Sequence, residues 1–395
     1  MERTTSITLL AVGHACVDVY QGAVAALVPL FIAERSYSYA AAAGIVLAAS
    51  LLSSVAQPAF GALTDRWAMP WLIPAATVLG GLGIGLSGLT GSYGLTLLFV
   101  AISGIGVAAY HPESARIARL ASAGSHRAMG WFALGGNVGF ATAPLLIAGV
   151  TLAGGLATTP LLVVPALAGA VLCLPVLRAL AGRHAAARTE ATAARIPNDW
   201  PSFVTLSFAV VARSIVFVGL STFIALYVRE RTGGGALTGT AALFVLYLGG
   251  AVGSVVGGML VGRWDRVTVA RASYLLSIAA VAGVVFVPGP TVFLFVALTS
   301  MGLYVPFSLQ VTLGQDYLPS RVGTASGITL GLTVSVGGVA SPIVGWLADR
   351  TTLQIALVPL ILMPVLSWLL FLRLPEPATP RHLAVPSEDR GRPVG

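Results

Sequence analysis

The chain has 395 residues, of which 56% are hydrophobic and only 9% charged. An ordinary soluble domain carries about a quarter charged residues, so a water-facing globule is excluded and an integral membrane protein is implied. The net charge is +8 with no lysine at all, the 22 Lys-or-Arg positions being arginine throughout. That excludes the phosphate loop G-x-x-x-x-G-K-[ST], and with it an ATP-driven pump of that kind. The arginines lie in short loops between apolar runs, which fits membrane topology and not nucleic-acid binding.

A spanning helix needs ~20 apolar residues. Runs of that kind fall at 7–33, 40–63, 70–90, 93–118, 128–152 and 156–180, then at 204–228, 236–262, 268–287, 291–315, 324–348 and 353–373. The first carries His14, Asp18 and Gln21, whose spacings of four and seven put them on one helical face. His14 and Asp18 interrupt what would be a signal peptide's apolar core, so the run reads as a retained helix. Asp18 is roughly 16 Å along the helix from Ile7 at 1.5 Å per residue, near the bilayer's middle. A carboxylate there is a functional candidate; the alternative is an Asp that holds a His or a backbone amide for structure. Cys16 and Cys173 both fall inside apolar runs and read as packing residues, so no disulfide, metal or cofactor is expected.

After the second run comes GALTDRW, with Gly61, Asp65 and Arg66. An Asp beside the N-terminus of a neighbouring helix can bond to its dipole and to an arginine, and so serve as a conformational latch; a solvated loop pair is the alternative. The fourth run closes on AAYHPESARIARL (108–120). His111 lies ~27 Å along that helix from Tyr93, and Glu113 can pair with Arg116 three residues on. The fifth run holds Asn137 next to the spacing Gly139–Pro144, which returns at Gly337–Pro342 in the eleventh; a structural kink is the favoured reading of both prolines. Residues 181–203 are polar and read as a linker. Arg213, in the seventh run, is open to three readings: a partner for Asp18, an anchor for an anionic substrate, or a side chain snorkelling to the interface. Tyr304 and Gln310 of the tenth run complete the candidate substrate contacts, with Gln21, Arg116, Asn137 and Arg213.

Charge sets the orientation. Seventeen arginines fall on the side shared by the termini and the linker, four on the other, and Arg213 within a helix. The positive-inside rule then puts both termini in the cytoplasm. The halves also repeat. LFVAISGIG (98–106) returns as LFVALTSMG (294–302) and FIAER (31–35) as YVRER (227–231), both shifted by 196. Asp65-Arg66 returns as Asp265-Arg266, which extends the latch assignment to the second half. GWLADR (345–350) has the same spacing but lies on the outer side, and reads as a chance or cap-like match.

Two parallel six-helix halves are the plan of the major facilitator superfamily, whose G-x-x-x-D-[RK] signature GALTDRW resembles in shortened form. The expectation is an all-α membrane protein of twelve transmembrane helices in two pseudo-symmetric bundles. Residues 1–180 form the N-terminal bundle, 181–203 a cytoplasmic linker, 204–373 the C-terminal bundle and 374–395 a disordered cytoplasmic tail. His-Pro-Glu-Ser (111–114), HACVDVYQG in the first run, and GALTDRW followed by PWLIP resemble the fosmidomycin resistance protein family. That resemblance implies proton-coupled efflux of small, often anionic drugs from the cytoplasmic membrane, by antiport. Asp18, Glu113, His14 and His111 are the candidates for proton transfer. The expected partners are a small-molecule substrate, protons and the lipid bilayer, with no nucleic acid and a monomeric chain. An uptake permease or uniporter of the same fold is the second reading. A membrane enzyme or sensor is disfavoured, because neither H-E-x-x-H nor G-x-S-x-G occurs.

Overall fold

The computed structural model describes residues 2–122, 125–180, 197–261 and 263–377. The first half comprises α1 (Arg3–Arg35), α2 (Tyr39–Arg66), α3 (Leu72–Ser87), α4 (Tyr93–Ser122), α5 (His126–Thr151) and α6 (Val163–Leu180), the last entered through a 3-10 stretch, Gly155–Leu162. The second comprises α7 (Trp200–Thr232), α8 (Ala236–Leu260), α9 (Arg266–Phe286), α10 (Val292–Tyr317) and α11 (Val322–Arg350). Its final rod runs from α12 (Leu353–Leu357) through a 3-10 stretch, Val358–Ile361, into α13 (Leu362–Phe371). Each apolar run of the sequence is thus one helical rod, twelve in order among the described residues.

Two boundaries move for visible reasons. The seventh rod starts at Trp200, inside the segment read as linker, because the Asp199 carboxylate caps it by accepting from Ser202 N at 3.1 Å. Pro201 in the first turn has no amide that needs a partner. Residues 181–196 lie outside the described residues. The segment read as a disordered tail begins with residues packed on the bundle: Leu374 is buried, Tyr317 Oη donates to Pro375 O at 2.6 Å, and Glu376 pairs with Arg266 at 2.7 Å. Residues 378–395 lie outside the described residues.

Packing follows the internal repeat. α1 lies on α5 and α2 on α4; their counterparts α7 and α11, and α8 and α10, do the same. The halves meet along α2–α11 and α5–α8, a pair of contacts that exchange when the halves are swapped. Small residues permit the close approach. A Cβ added at Gly338 of α11 would stand 2.6 Å from Ser50 Cβ of α2, and one at Gly345 would stand 2.6 Å from Tyr39 O. Helices that must come this near in a membrane use residues without side-chain bulk.

Candidate functional site

Between the halves lies a cavity of about 380 Å³, lined by α1, α2, α4 and α5 of the first half and α7, α8 and α10 of the second. Its two walls differ. The first half contributes His14, Asp18, Gln21, Gln57, His111 and Asn137. The second contributes Phe217, Tyr247, Tyr304 and Phe307, joined by Phe140 from α5. Phe140 and Tyr247 meet at 4.2 Å between ring centroids, and Phe217 and Tyr304 at 4.9 Å edge-on, a geometry aromatic pairs favour.

Asp18 is the centre of the polar wall. Its Oδ2 is 3.3 Å from His14 Nε2, one turn earlier on α1, and its Oδ1 is 3.1 Å from His111 Nε2 on α4. His14 also stacks on Phe132 at 4.4 Å and lies edge-on to His111 at 5.4 Å. Behind the cluster is Gly136 of α5, where a Cβ would fall 2.5 Å from Asp18 Oδ2 and 2.7 Å from His14 Nε2. The helix face expected to carry His14, Asp18 and Gln21 does line the cavity, and His111 reaches it from the neighbouring helix.

Other sequence-selected residues sit elsewhere. Glu113 is fully buried outside the cavity and accepts two hydrogen bonds from Arg116, one from Nε at 2.9 Å and a shorter one from Nη2. At 100° per residue, two positions separate Glu113 from His111 by roughly 200°, so one helix cannot point both at one cavity. Arg116 is taken up in that pair and lies outside the lining. Gln310 donates to Tyr274 Oη at 2.6 Å within the second half and is also outside the lining. Arg213 does not meet Asp18, whose ion-pair partners are the two histidines. It is fully buried behind the aromatic wall, with its guanidinium carbon 5.1 Å from the Phe307 centroid and 5.7 Å from that of Tyr304, and it donates to Leu303 O at 3.4 Å.

Among the described side chains, those of Arg66, Asp265 and Arg266 make no contact across the halves in this structure. Arg66 lies over the Trp67 ring at 4.7 Å, and Gly61 has open space around it; the Asp65 side chain lies outside the described residues. Asp265 caps its own helix through Thr268 N at 2.7 Å, while Arg266 holds Asp316 at 2.6 Å and Glu376 within the second half. The bridge occurs on the opposite face, in the GWLADR stretch read as a chance or cap-like match. The Asp349 carboxylate of α11 accepts from Tyr39 N at 2.7 Å and Ala40 N at 3.0 Å, and so caps the N-terminus of α2 from the other half. Tyr39 Oη adds a bond to Glu230 of α7 at 3.3 Å. Apart from Tyr304, the aromatic wall is what the sequence reading missed, together with the half from which the Asp349 cap reaches α2. The rings gave no polar contrast in their apolar runs, but the acidic residue of GWLADR was a visible signal.

The family model described as Major Facilitator Superfamily matches residues 10–342. The chain is 29% identical over 377 residues to the fosmidomycin resistance protein of Escherichia coli (strain K12), covering 91% of this chain and 90% of that one. It is also 29% identical over 392 residues to the uncharacterized MFS-type transporter YfnC of Bacillus subtilis (strain 168), covering 93% and 92%. Among solved structures, a bacterial homologue of the human lysosomal transporter Spinster aligns with a TM-score of 0.73 at 15% identity, over 92% of this chain and 95% of that one. The nucleoside transporter NupG aligns with a TM-score of 0.72 at 14% identity, over 95% and 99%.

Proposed function

The chain belongs to the Major Facilitator Superfamily, and from that premise we propose that it exports small drugs or anionic metabolites, phosphonate antibiotics among them, in exchange for protons. The observation that carries this reading is the two-walled cavity between the halves, with the Asp349 cap tying α2 to α11 on the face opposite the termini. A site reached from one side at a time is what alternating access requires. The charged cluster on α1 and α4 is the element that exchanges a cation, and the aromatic wall receives the apolar part of the cargo. The relation to a protein named for fosmidomycin resistance supports the outward direction. The arginine bias supports placement in the cytoplasmic membrane with both termini inside.

The test is transport by the purified protein in liposomes with an imposed pH gradient, joined to a drug-susceptibility panel in a strain lacking its own exporters. Drug accumulation in cells should rise on adding an uncoupler. A fall would replace export with uptake, and coupling left unchanged in both Asp18→Asn and Glu113→Gln would remove the assignment of the gradient to these carboxylates.

A further inference from the structure

The contacts of Asp18 with its two histidines are close, yet they are not hydrogen bonds. Each imidazole is fixed through Nδ1 on a backbone carbonyl: His14 on Phe132 O at 3.0 Å, His111 on Val107 O at 2.7 Å. A carbonyl oxygen only accepts, so both Nδ1 atoms carry a hydrogen. In the neutral rings the lone pairs are therefore on Nε2, and both Nε2 atoms face the carboxylate at 3.3 and 3.1 Å. Lone pairs and a carboxylate repel unless positive charge lies among them. A hydrogen on each Nε2 would answer that with straight N–H···O bonds. Bonds of that form are not made: neither His14 Nε2 nor Asp18 Oδ1 has a hydrogen-bond partner among the described residues, although His14 and Asp18 are each only 8% exposed.

A metal ion accounts for this arrangement. With bonds of roughly 2.0–2.1 Å, ligand atoms around a tetrahedral ion stand about 3.3 Å apart. They then lie along the edges of the tetrahedron, while the lone pairs point at its centre and not at each other. We infer that His14 Nε2, His111 Nε2 and the Asp18 carboxylate form a binding site for a divalent transition-metal ion of the Zn2+ class. The ligand atoms all lie within 4.8 Å of one another. Two imidazoles and one carboxylate suit borderline ions, whereas Ca2+ and Mg2+ take oxygen donors. The carbonyls of Phe132 and Val107 hold the rings by their far nitrogens, as the outer shells of histidine metal sites do. Gly136 keeps the ligand side clear, since a Cβ there would strike both Asp18 and His14.

Three protein ligands leave at least one coordination position open, on the side of the cavity that all three line. That position gives the cavity a positive centre it otherwise lacks. The chain has no lysine, and among the described residues no arginine is in the lining. An oxygen of an anionic cargo can complete the shell. Only this use rests on the export reading; the site itself does not.

The test uses the full chain in detergent, stripped with EDTA, with ZnCl2 as the probe. Calorimetry should give one site per chain, weakened at least about 10-fold in Asp18→Asn, His14→Gln and His111→Gln. Binding should persist in a variant lacking His126, His184 and His382, the other three of the five histidines. Zn2+ should raise the melting temperature of the parent protein and leave that of the three ligand variants unmoved. Absence of binding by the parent protein, or binding kept by all three ligand variants, overturns the site. Should those variants fail to fold, Co2+ bound to the parent protein decides: an intense tetrahedral spectrum supports the site and a weak octahedral one overturns it. Proton-driven drug transport by the stripped protein is measured alongside, so that loss of the metal site and loss of the export reading are separate results.

Discussion

The two halves share a fold, yet they bring opposite chemistry to the cavity they enclose. On α1, Asp18 faces the cavity with His14 and, from α4, His111. On α7, the repeat sets Arg213 opposite Val17, one residue from Asp18, but the arginine is buried behind Tyr304 and Phe307. Duplication has preserved the scaffold while the walls have diverged, one to hold charge and one to hold rings. Pseudo-symmetry is thus a guide to backbone position and a poor guide to side-chain role. Asp265-Arg266 makes the same point: it repeats the Asp65-Arg66 dipeptide, yet its bonds serve Thr268, Asp316 and Glu376 of its own half.

The contrast between the walls can be broken at its strongest point first. Asp18→Asn removes the charge from the polar wall, and coupled transport should fall to the level of empty liposomes while the folded yield is kept. Gly136→Ala acts on the same wall without touching its chemistry. Its Cβ would come 2.5 Å from Asp18 Oδ2, and the expected result is strongly reduced transport with a stability loss of about 1–3 kcal/mol, as for an overpacked core. A thermal melt and a flux assay read both together, and normal flux would show that the cluster tolerates displacement. On the aromatic wall, Tyr304→Ala should weaken binding of an aromatic drug by roughly 1–2 kcal/mol, a factor of about 5–30, and leave pH-gradient coupling in place. A variant that lost coupling but kept affinity would reverse the division of labour between the walls. The smallest effect belongs to Asp349→Ala, which removes a cap worth about 1 kcal/mol. Distance measurements between spin labels on the ends of α2 and α11 should show a several-fold rise in the population separated on that face.

Much of the fold could be read from the chain because membrane constraints are blunt. A spanning helix needs length and apolarity, both visible in each of the twelve runs, and the 196-residue shift gave the pairing of halves. The cluster was partly legible for a similar reason, since a four-residue spacing fixes His14 and Asp18 on one face. Glu113 lies off that face by the same arithmetic, since two residues from His111 turn it away toward Arg116. Gln310 likewise lies off the lining: six residues beyond Tyr304 is a rotation of roughly 240° from it. The aromatic wall was not legible, because a ring in an apolar run has the same signature whether it meets lipid, protein or cargo. Phe217 and Tyr247 therefore needed coordinates. GWLADR reads as a chance or cap-like match on the outer side, and a cap is what Asp349 makes; its partners are backbone amides of α2, which leave no trace in a residue pattern.

The helix cap that Asp349 gives to α2 from the other half is exposed to solvent on its own face. When the halves part there, water replaces the carboxylate on Tyr39 N and Ala40 N, so the net loss is about 1 kcal/mol per hydrogen bond and not the much larger value of a bond broken in lipid. Such a contact shifts a two-state ratio by about one order of magnitude and holds no state permanently. Its effect is kinetic bias: it sets how often the face away from the termini opens spontaneously, and therefore how much leak the chain permits between cycles.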